Sequence, residues 1–366
     1  TSSAAGDAAA STALAAASAA GDGTSEEGGA RRRQQQQHQD GEARTRDRRQ
    51  GAGPALGGGG HLLPAHVNVT ARSWAEVVDL VATGSPFSTR PGWRVHGLIA
   101  KSGAPMAVEE LAQLLLVQVQ AAFDAERAPL RVRPYAVCAL SPSAGLVEFV
   151  PDAPSLHELR RRLGAATLSE HMRALHGERG GESHSRALNN FASSLAGYAV
   201  ACYVLQVKDR HNGNILLHHS GHLVHVDFGF VLGSAPGGAL AVERAPFKLT
   251  AEWLEVLGGP DAPEVRRLRS LCAVGLIAVR RHAHRLLAVV DAASALARRG
   301  GAAAQALLPC LQGGDEAVGR QLRKRLMLGK DDDYACATAE RFFDESLSDW
   351  GTWAYDAYQR VANGIE

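Results

Sequence analysis

Aromatic residues are scarce in this chain, at only 5% of its 366 residues, and no uninterrupted run of about 18 apolar residues occurs. The missing apolar run argues against a segment that spans a membrane. An early alanine stretch lacks the Leu and Val of a signal peptide. A core is still expected, because 45% of the residues are hydrophobic, as in ordinary globular proteins. We therefore expect a protein that is soluble or peripheral to a membrane.

Cysteine is scarce as well, with five residues and no C-x-x-C pair. A disulfide framework or a zinc site needs paired or closely spaced cysteines, so this pattern argues against both and favours a reducing compartment. The formal net charge of +1 argues against a dedicated nucleic-acid-binding protein. Two short basic clusters, Arg160–Arg162 and Arg323–Arg325, leave contact with an anionic membrane open, although most such clusters are solvated helix faces.

The composition divides the chain into a tail and a folded part. Residues 1–60 alternate Ala, Ser and Gly tracts with short Arg and Gln runs, and they carry too little bulky apolar surface to offset the entropy of ordering. We predict that this tail is disordered, and a tail that begins with Thr is typical of a fragment of a longer protein. The rest is expected to form a small lobe over 61–150 and a larger lobe over 151–366.

Hydrophobic periodicity predicts mixed elements in the small lobe and mainly helices in the larger one. In the small lobe the prediction is a strand over 93–101, a helix over 107–124, and strands over 132–140 and 146–150. In the larger lobe it is a helix over 186–205, a loop over 208–214, strands over 215–217 and 222–226, and helices over 250–257, 263–297, 316–327 and 337–362.

The most informative segment is the polar loop after the long helix. It places Asp209, His211 and Asn214 on one loop, and the triplet that starts at Asp227 (D-F-G) follows thirteen positions beyond Asn214. Phosphoryl transfer needs metal ions at the phosphates, a group near the attacking hydroxyl and rigid positioning. Asn214 and Asp227 offer hard oxygen ligands that suit Mg²⁺, and Asp209 and His211 can accept or orient the hydroxyl proton.

Each of these motifs is weak alone. A D-F-G triplet is often only a tight turn, and a loop Asn or Asp is more often a cap than a ligand. A lysine that ends a predicted strand, Lys101, and a carboxylate on the next helix, Glu109, complete a set that is typical of a phosphotransferase.

The loop segments resemble the phosphatidylinositol 3-/4-kinase superfamily, and within it the type III phosphatidylinositol 4-kinases of the beta kind. The resemblance lies in L-Q-V-K-D-R-H-N-G-N-I-L-L (Leu205–Leu217) and G-H-L-V-H-V-D-F-G-F-V-L (Gly221–Leu232), whereas protein kinases have the order H-R-D. Shorter stretches extend it to about residues 72–366: S-P-F-S (Ser85–Ser88), E-R-A-P-L from Glu126, A-P-F-K-L-T (Ala245–Thr250), G-L-I-A-V-R-R-H (Gly275–His282) and the final N-G-I.

This resemblance implies an α+β, bilobal protein-kinase-like fold, with a small β-rich N-lobe and a larger, mostly helical C-lobe. It implies transfer of the γ-phosphate of ATP, with Mg²⁺, to the inositol 4-hydroxyl of phosphatidylinositol. It also implies a cytoplasmic protein that is peripheral on intracellular membranes such as those of the Golgi, with membrane-recruiting regulatory proteins and no nucleic acid as partners.

The resemblance also implies roles for individual residues. Lys101 is expected to contact the ATP phosphates and to pair with Glu109. The other implied roles are a hinge at Glu148 to Val150 whose backbone meets adenine, hydroxyl activation by Asp209 and His211, Mg²⁺ binding by Asn214 and Asp227, and an activation loop over 230–248 with Lys248 near the headgroup phosphate.

One segment departs from the family pattern, which has the form G-D-D-L-R-Q-E after the lysine. This chain has Gly103-Ala104-Pro105-Met106-Ala107-Val108-Glu109, so only the terminal Glu remains of the acidic and polar positions. Three hypotheses stay open: an active lipid 4-kinase, a nucleotide-binding pseudokinase that acts as an interaction module, and a protein kinase of the related branch. The basic frame of Arg244 and Lys248 argues against the third. The choice of the 4-hydroxyl over the 3-hydroxyl rests on the resemblance alone.

Aromatic residues concentrate near the C-terminus, where Trp350, Trp353, Tyr355 and Tyr358 lie close together. Their amphipathic rings favour a membrane interface, although most aromatic stripes pack in a core. Membrane contact by Trp350 or Trp353 is therefore a further hypothesis.

Overall fold

A computed structural model describes residues 72–103, 105–235, 245–311, 315–348 and 364–365. The helices are α1 (Trp74–Gly84), α2 (Met106–Ala125), α3 (Leu156–Leu163), α4 (Leu168–His176), α5 (Glu182–Leu205), α6 (Ala251–Val256), α7 (Pro263–Arg281), α8 (Ala283–Arg299), α9 (Gly301–Leu307), α10 (Asp315–Arg325) and α11 (Asp332–Ser348). The strands are β1 (Leu98–Ser102), β2 (Val137–Ser141), β3 (Ala144–Glu148), β4 (Ile215–Leu217) and β5 (Leu223–His225). The predicted disordered tail, Arg244 and the aromatic segment around Trp350 and Trp353 lie outside these ranges.

The small lobe contains a three-stranded antiparallel sheet in the order β1-β3-β2, with α2 packed on it. Leu111, Leu115 and Val119 recur at helical spacing on α2 and are fully or almost fully buried. A Cβ at Gly145 on β3 would lie 2.6 Å from the carbonyl oxygen of Cys138, so only glycine allows β2 and β3 to approach this closely.

Two strands begin later in the structure than the sequence predicts. β1 begins at Leu98 instead of Trp93, and β2 begins at Val137 instead of Val132. The backbone N–H groups of Val132 and Tyr135 donate to the side-chain oxygens of Gln120 and Gln113 on α2, at 2.8 and 3.0 Å. These side chains satisfy the backbone groups that a neighbouring strand would otherwise satisfy, so the segment before β2 is extended without being part of the sheet.

The larger lobe is built around α5, whose 24 residues are mostly buried. This helix begins at Glu182, four residues before the predicted start, and it ends at Leu205 as predicted. The helix predicted over 263–297 is two helices, α7 and α8, with a break at His282, whose ring bonds Glu126 at 3.0 Å. No Gly or Pro marks this break, so the pattern alone could not show it. The last helix begins at Asp332, five residues before the predicted start.

One helix in the described ranges, α2, is long and apolar enough to cross a membrane by length and composition. Most of its residues are buried inside the protein, and Glu109 and Glu110 interrupt its apolar run. Its hydropathy is therefore that of a core helix.

His218, in the turn between β4 and β5, is expected to make the stability of the fold fall at acidic pH. Burial, and then the neighbouring His219, lower the pKa of His218 to about 4. In the unfolded chain this ring titrates near 6.5, so below that pH the unfolded state takes up more protons and stability falls. The His218 Nδ1 atom accepts the Ser220 N–H at 3.2 Å, and an asparagine oxygen can take over that role.

We expect His218→Asn to reduce the stability loss between pH 7 and pH 5 by about 1 kcal/mol, after allowance for a ring that is only half buried. Urea unfolding of both proteins at the two pH values measures this difference. Parallel losses in the two proteins would show that His218 does not contribute.

Candidate active site

The polar loop after α5 is held in an unusual backbone conformation. Gln206 ends the helix with a φ of 52°, and Asp209 within the loop has a φ of 67°. Asp227, directly after the β4–β5 hairpin, has a φ of 59°. Left-handed conformations in residues other than glycine are uncommon, and they persist at sites where surrounding contacts hold them. The backbones of Asp209 and Asp227 are therefore fixed by their surroundings.

Lys101 joins the two lobes through its ammonium group. The Nζ atom lies 3.0 Å from Glu109 Oε2 on α2 and 2.9 Å from Asp227 Oδ1 in the larger lobe. Burial alone would lower the pKa of Lys101, but the Asp227 and Glu109 carboxylates outweigh it and raise this pKa. Burial would raise the pKa of Asp227, and Lys101 outweighs that effect and lowers it. The predicted pairing of Lys101 with Glu109 is present in the structure, and the two shifts keep Lys101 and Asp227 ionised at neutral pH.

His211 is placed as a neutral ring. Burial lowers its pKa, and the opposing effect of Asp209 is smaller. The Gly213 N–H donates to His211 Nδ1 at 3.0 Å, which assigns the proton of the neutral ring to Nε2. Nε2 faces Asp209 Oδ1 at 3.9 Å. In this arrangement His211 is a hydrogen-bond donor, so the Asp209 carboxylate is the better placed acceptor for a substrate proton.

Asn214 and Asp227 lie next to each other, because the Val226 N–H donates to the Asn214 carbonyl at 3.0 Å. The Asn214 side-chain N–H donates to the Asp209 carbonyl at 3.0 Å, so the amide oxygen is directed elsewhere. The Asp227 side chain is half exposed. An amide oxygen and an accessible carboxylate form an oxygen donor set that fits Mg²⁺. Within the described ranges no group of three or more His, Cys, Asp or Glu could hold a metal, so phosphate oxygens would have to complete the coordination.

The predicted hinge is Glu148 to Val150. The N–H groups of Glu148 and Phe149 donate to the carbonyls of Ala136 and Gly97, at 2.8 and 2.9 Å. The N–H of Val150 makes no hydrogen bond within the described part of the chain. Val150 is thus the hinge amide best placed for an adenine ring. The Glu148 side chain accepts the Ala136 N–H and faces Arg133, so it supports the hinge.

Lys248 is buried, with 4% of its surface exposed. Its Nζ donates at 2.8 Å to Asn212 Oδ1 in the polar loop over 208–214, the predicted catalytic loop, and Lys208 Nζ donates to the Ala245 carbonyl at 2.9 Å. These two contacts join the end of the activation loop to the catalytic loop. Contact between Lys248 and a lipid phosphate stays a prediction, and the structure adds a contact to the catalytic loop that the sequence did not indicate.

This geometry leads us to expect that Lys248→Ala lowers nucleotide hydrolysis and lipid phosphorylation together, by at least about tenfold. Removing the buried ammonium leaves Asn212 Oδ1 without this partner and loosens the catalytic loop. Parallel assays of both activities measure the effect, with Lys330→Ala as an exposed control whose ammonium lies over the Tyr334 ring. Loss of lipid phosphorylation alone would favour a pure substrate contact instead.

Two residues of the site escaped the sequence prediction. Arg210 is almost fully buried, and its guanidinium donates to the carbonyls of Val226 at 2.8 Å and Asp227 at 2.5 Å. It also lies over the Phe228 ring, at 5.0 Å from the ring centroid. Its position inside D-R-H could have drawn attention to it. Tyr135, the second missed residue, lies in a predicted strand and carries no motif.

Comparison with known proteins agrees with this geometry. Residues 168–298 match the family model described as phosphatidylinositol 3- and 4-kinase. The chain is 36% identical over 292 residues to phosphatidylinositol 4-kinase beta of Danio rerio, and 34% identical over 294 residues to phosphatidylinositol 4-kinase of Dictyostelium discoideum. Each match covers 80% of this chain but only 33% and 24% of those proteins, so the chain spans a third of their length or less.

Proposed function

Because the chain belongs to the phosphatidylinositol 3- and 4-kinase family, we propose that it transfers the γ-phosphate of ATP to the inositol 4-hydroxyl of phosphatidylinositol. The observation that carries the proposal is the ammonium of Lys101 held between Glu109 and Asp227, which joins the strand-borne lysine to the D-F-G carboxylate. Such an arrangement serves to position phosphates and to stabilise the charge that develops during transfer.

Each residue of the site has a step in this reaction. Lys101 neutralises the phosphates of ATP, and Glu109 holds its ammonium in place. The Val150 amide binds adenine at the hinge. Asp209 accepts the proton of the attacking inositol hydroxyl, and the Nε2–H of His211 orients that hydroxyl or donates to the transferred phosphoryl group.

Asn214 and Asp227 would hold Mg²⁺ through their side-chain oxygens. The ion, when bound, would neutralise the β- and γ-phosphates. The side-chain N–H of Asn214 donates to the Asp209 carbonyl and so fixes the Asn214 amide. The guanidinium of Arg210 donates to the Asp227 carbonyl and so fixes the Asp227 backbone. Both ligands are therefore oriented before any ion arrives.

The segment that departs from the family pattern does not disturb this arrangement. Met106 and Val108 are fully buried in the small-lobe core, and the Lys101–Glu109 ion pair is intact beside them. Met106 stands where the family pattern already has Leu, whereas Val108 stands at the position of the Gln and exchanges that polar group for core packing. This favours an active enzyme over the pseudokinase hypothesis.

We also propose that the protein works at the cytoplasmic face of intracellular membranes such as those of the Golgi. Its substrate is a membrane lipid under this proposal, and regulatory proteins would recruit it there. Fractionation of cells that express the tagged chain, before and after a carbonate wash, tests the peripheral association.

The direct test of the proposed activity offers competing acceptors. Purified chain, labelled ATP and Mg²⁺ are incubated with phosphatidylinositol in detergent micelles, with a protein acceptor such as casein, and with neither. Label in the lipid supports the proposal. Label only in casein would favour the protein-kinase hypothesis, and nucleotide binding without transfer would favour the pseudokinase hypothesis.

A further inference from the structure

Tyr135 occupies the space between the two lobes of the candidate site. It lies in the extended segment before β2, and only 4% of its surface is exposed. Its ring centroid is 6.4 Å from that of Phe228, the residue after Asp227. Its own backbone N–H donates to Gln113 Oε1 on α2 at 3.0 Å. The ring is thus fixed at both ends by neighbouring elements.

The hydroxyl of Tyr135 makes two hydrogen bonds of opposite direction. It donates to Glu109 Oε1 at 2.7 Å, and it accepts the backbone N–H of Asp227 at 3.1 Å. The other oxygen of Glu109 binds Lys101, and Lys101 binds the Asp227 carboxylate. The four residues therefore form a closed ring of contacts in which Tyr135 is the only neutral side chain.

Asp227 needs this support, because its backbone is in the left-handed region at a φ of 59°. Its carbonyl oxygen accepts from Arg210 Nη2 at 2.5 Å, and its N–H donates to the Tyr135 hydroxyl. Both backbone polar groups of Asp227 are therefore held by side chains. One comes from the catalytic loop and the other from the small lobe.

We propose that Tyr135 is a positioning residue, which couples the small-lobe pair Lys101–Glu109 to Asp227 and holds that carboxylate in its metal-binding orientation. The proposal rests on the function proposed above. A hydroxyl is the essential group, because only a group that donates to Glu109 and accepts from Asp227 closes the ring. A phenylalanine ring preserves the packing on Phe228 and breaks both hydrogen bonds.

The contact is expected to persist across the pH range of any assay. Burial, and then the Glu109 carboxylate, raise the pKa of Tyr135 far above its usual range. The hydroxyl therefore keeps the proton that it donates to Glu109.

The test compares Tyr135→Phe with the wild-type chain in two independent measurements. Hydrogen exchange of the metal-free protein should show faster exchange of the Asp227 amide in the variant, because that N–H loses its acceptor. Kinetics should show that the Mg²⁺ concentration for half-maximal activity rises about tenfold and that kcat falls about tenfold at moderate Mg²⁺. Excess Mg²⁺ should restore part of this loss, and the KM for ATP at saturating Mg²⁺ should change less than about twofold.

Tyr198→Phe is the matched control. The Tyr198 hydroxyl is equally buried, and it accepts the Arg133 N–H at 3.0 Å and contacts neither Glu109 nor Asp227. We expect this variant to lose stability without a change in the Mg²⁺ dependence. The positioning role would be overturned if Tyr135→Phe and Tyr198→Phe required the same Mg²⁺ concentration for half-maximal activity. It would also be overturned if the Asp227 amide exchanged at the wild-type rate in Tyr135→Phe. If the wild-type chain does not phosphorylate the lipid, the proposed function fails separately, and the exchange measurement still decides the role of Tyr135.

Discussion

Asp227→Asn is expected to reduce phosphoryl transfer by on the order of a thousandfold or more while the fold stays intact. The Asp227 carboxylate supplies the charge that a metal ion at the phosphates requires, and a neutral amide of the same size does not. Lys101 keeps Glu109 as its partner in the variant, so the melting temperature should change little. Initial rates at saturating Mg²⁺ measure the effect.

Asp344→Asn is a suitable control for this variant. Asp344 is an exposed carboxylate on α11 that pairs with Arg269 at 2.6 Å, and it lies outside the site. It should retain wild-type activity. Near-normal transfer by Asp227→Asn at saturating Mg²⁺ would show that the metal-ligand assignment is wrong.

The second large effect is expected at the loop that carries Asp209 and His211. Asp209→Asn should lower kcat by about 10²–10⁴, because it removes the acceptor for the hydroxyl proton. His211→Asn should lower kcat by only about 10–100, because its oxygen can still accept the Gly213 N–H and only the Nε2–H donor is lost. The KM for ATP should stay close to the wild-type value in Asp209→Asn, since that side chain is assigned to the inositol hydroxyl and not to the nucleotide.

Single-turnover measurements with phosphatidylinositol separate the chemical step from product release and give this comparison directly. The informative result is which of the two variants, Asp209→Asn or His211→Asn, loses more of its kcat. A larger loss in His211→Asn than in Asp209→Asn would identify the imidazole as the base and contradict the tautomer that the Gly213 contact assigns.

The lysine, the metal-ligand candidates and the hairpin could be predicted from the sequence, because each depends on residues close together in the chain. The helix over 107–124 could be predicted from its regular hydrophobic period, and the strand over 215–217 from a short apolar run that precedes the turn at Ser220-Gly221. Their structural bounds, 106–125 and 215–217, confirm these predictions.

Contacts between distant residues could not be predicted in this way. The start of β2 depends on side chains of α2 that satisfy the N–H groups of Val132 and Tyr135, and nothing in the local pattern indicates them. The role of Tyr135 depends on Asp227, which follows it by 92 positions. The contact of Lys248 with Asn212 likewise joins residues that are 36 positions apart, so the sequence did not indicate it.

The proposed reaction places the transferred phosphate at one position of the inositol ring, so the position of that phosphate in the product is the decisive measurement. The lipid product of the wild-type chain is deacylated, and the resulting glycerophosphoinositol phosphate isomers are separated by chromatography, with Asp227→Asn as the blank. We expect a single Mg²⁺-dependent product that carries the phosphate on the inositol 4-hydroxyl and is missing from the blank. A product phosphorylated at the 3-hydroxyl, or the same product from Asp227→Asn, would contradict the proposed reaction.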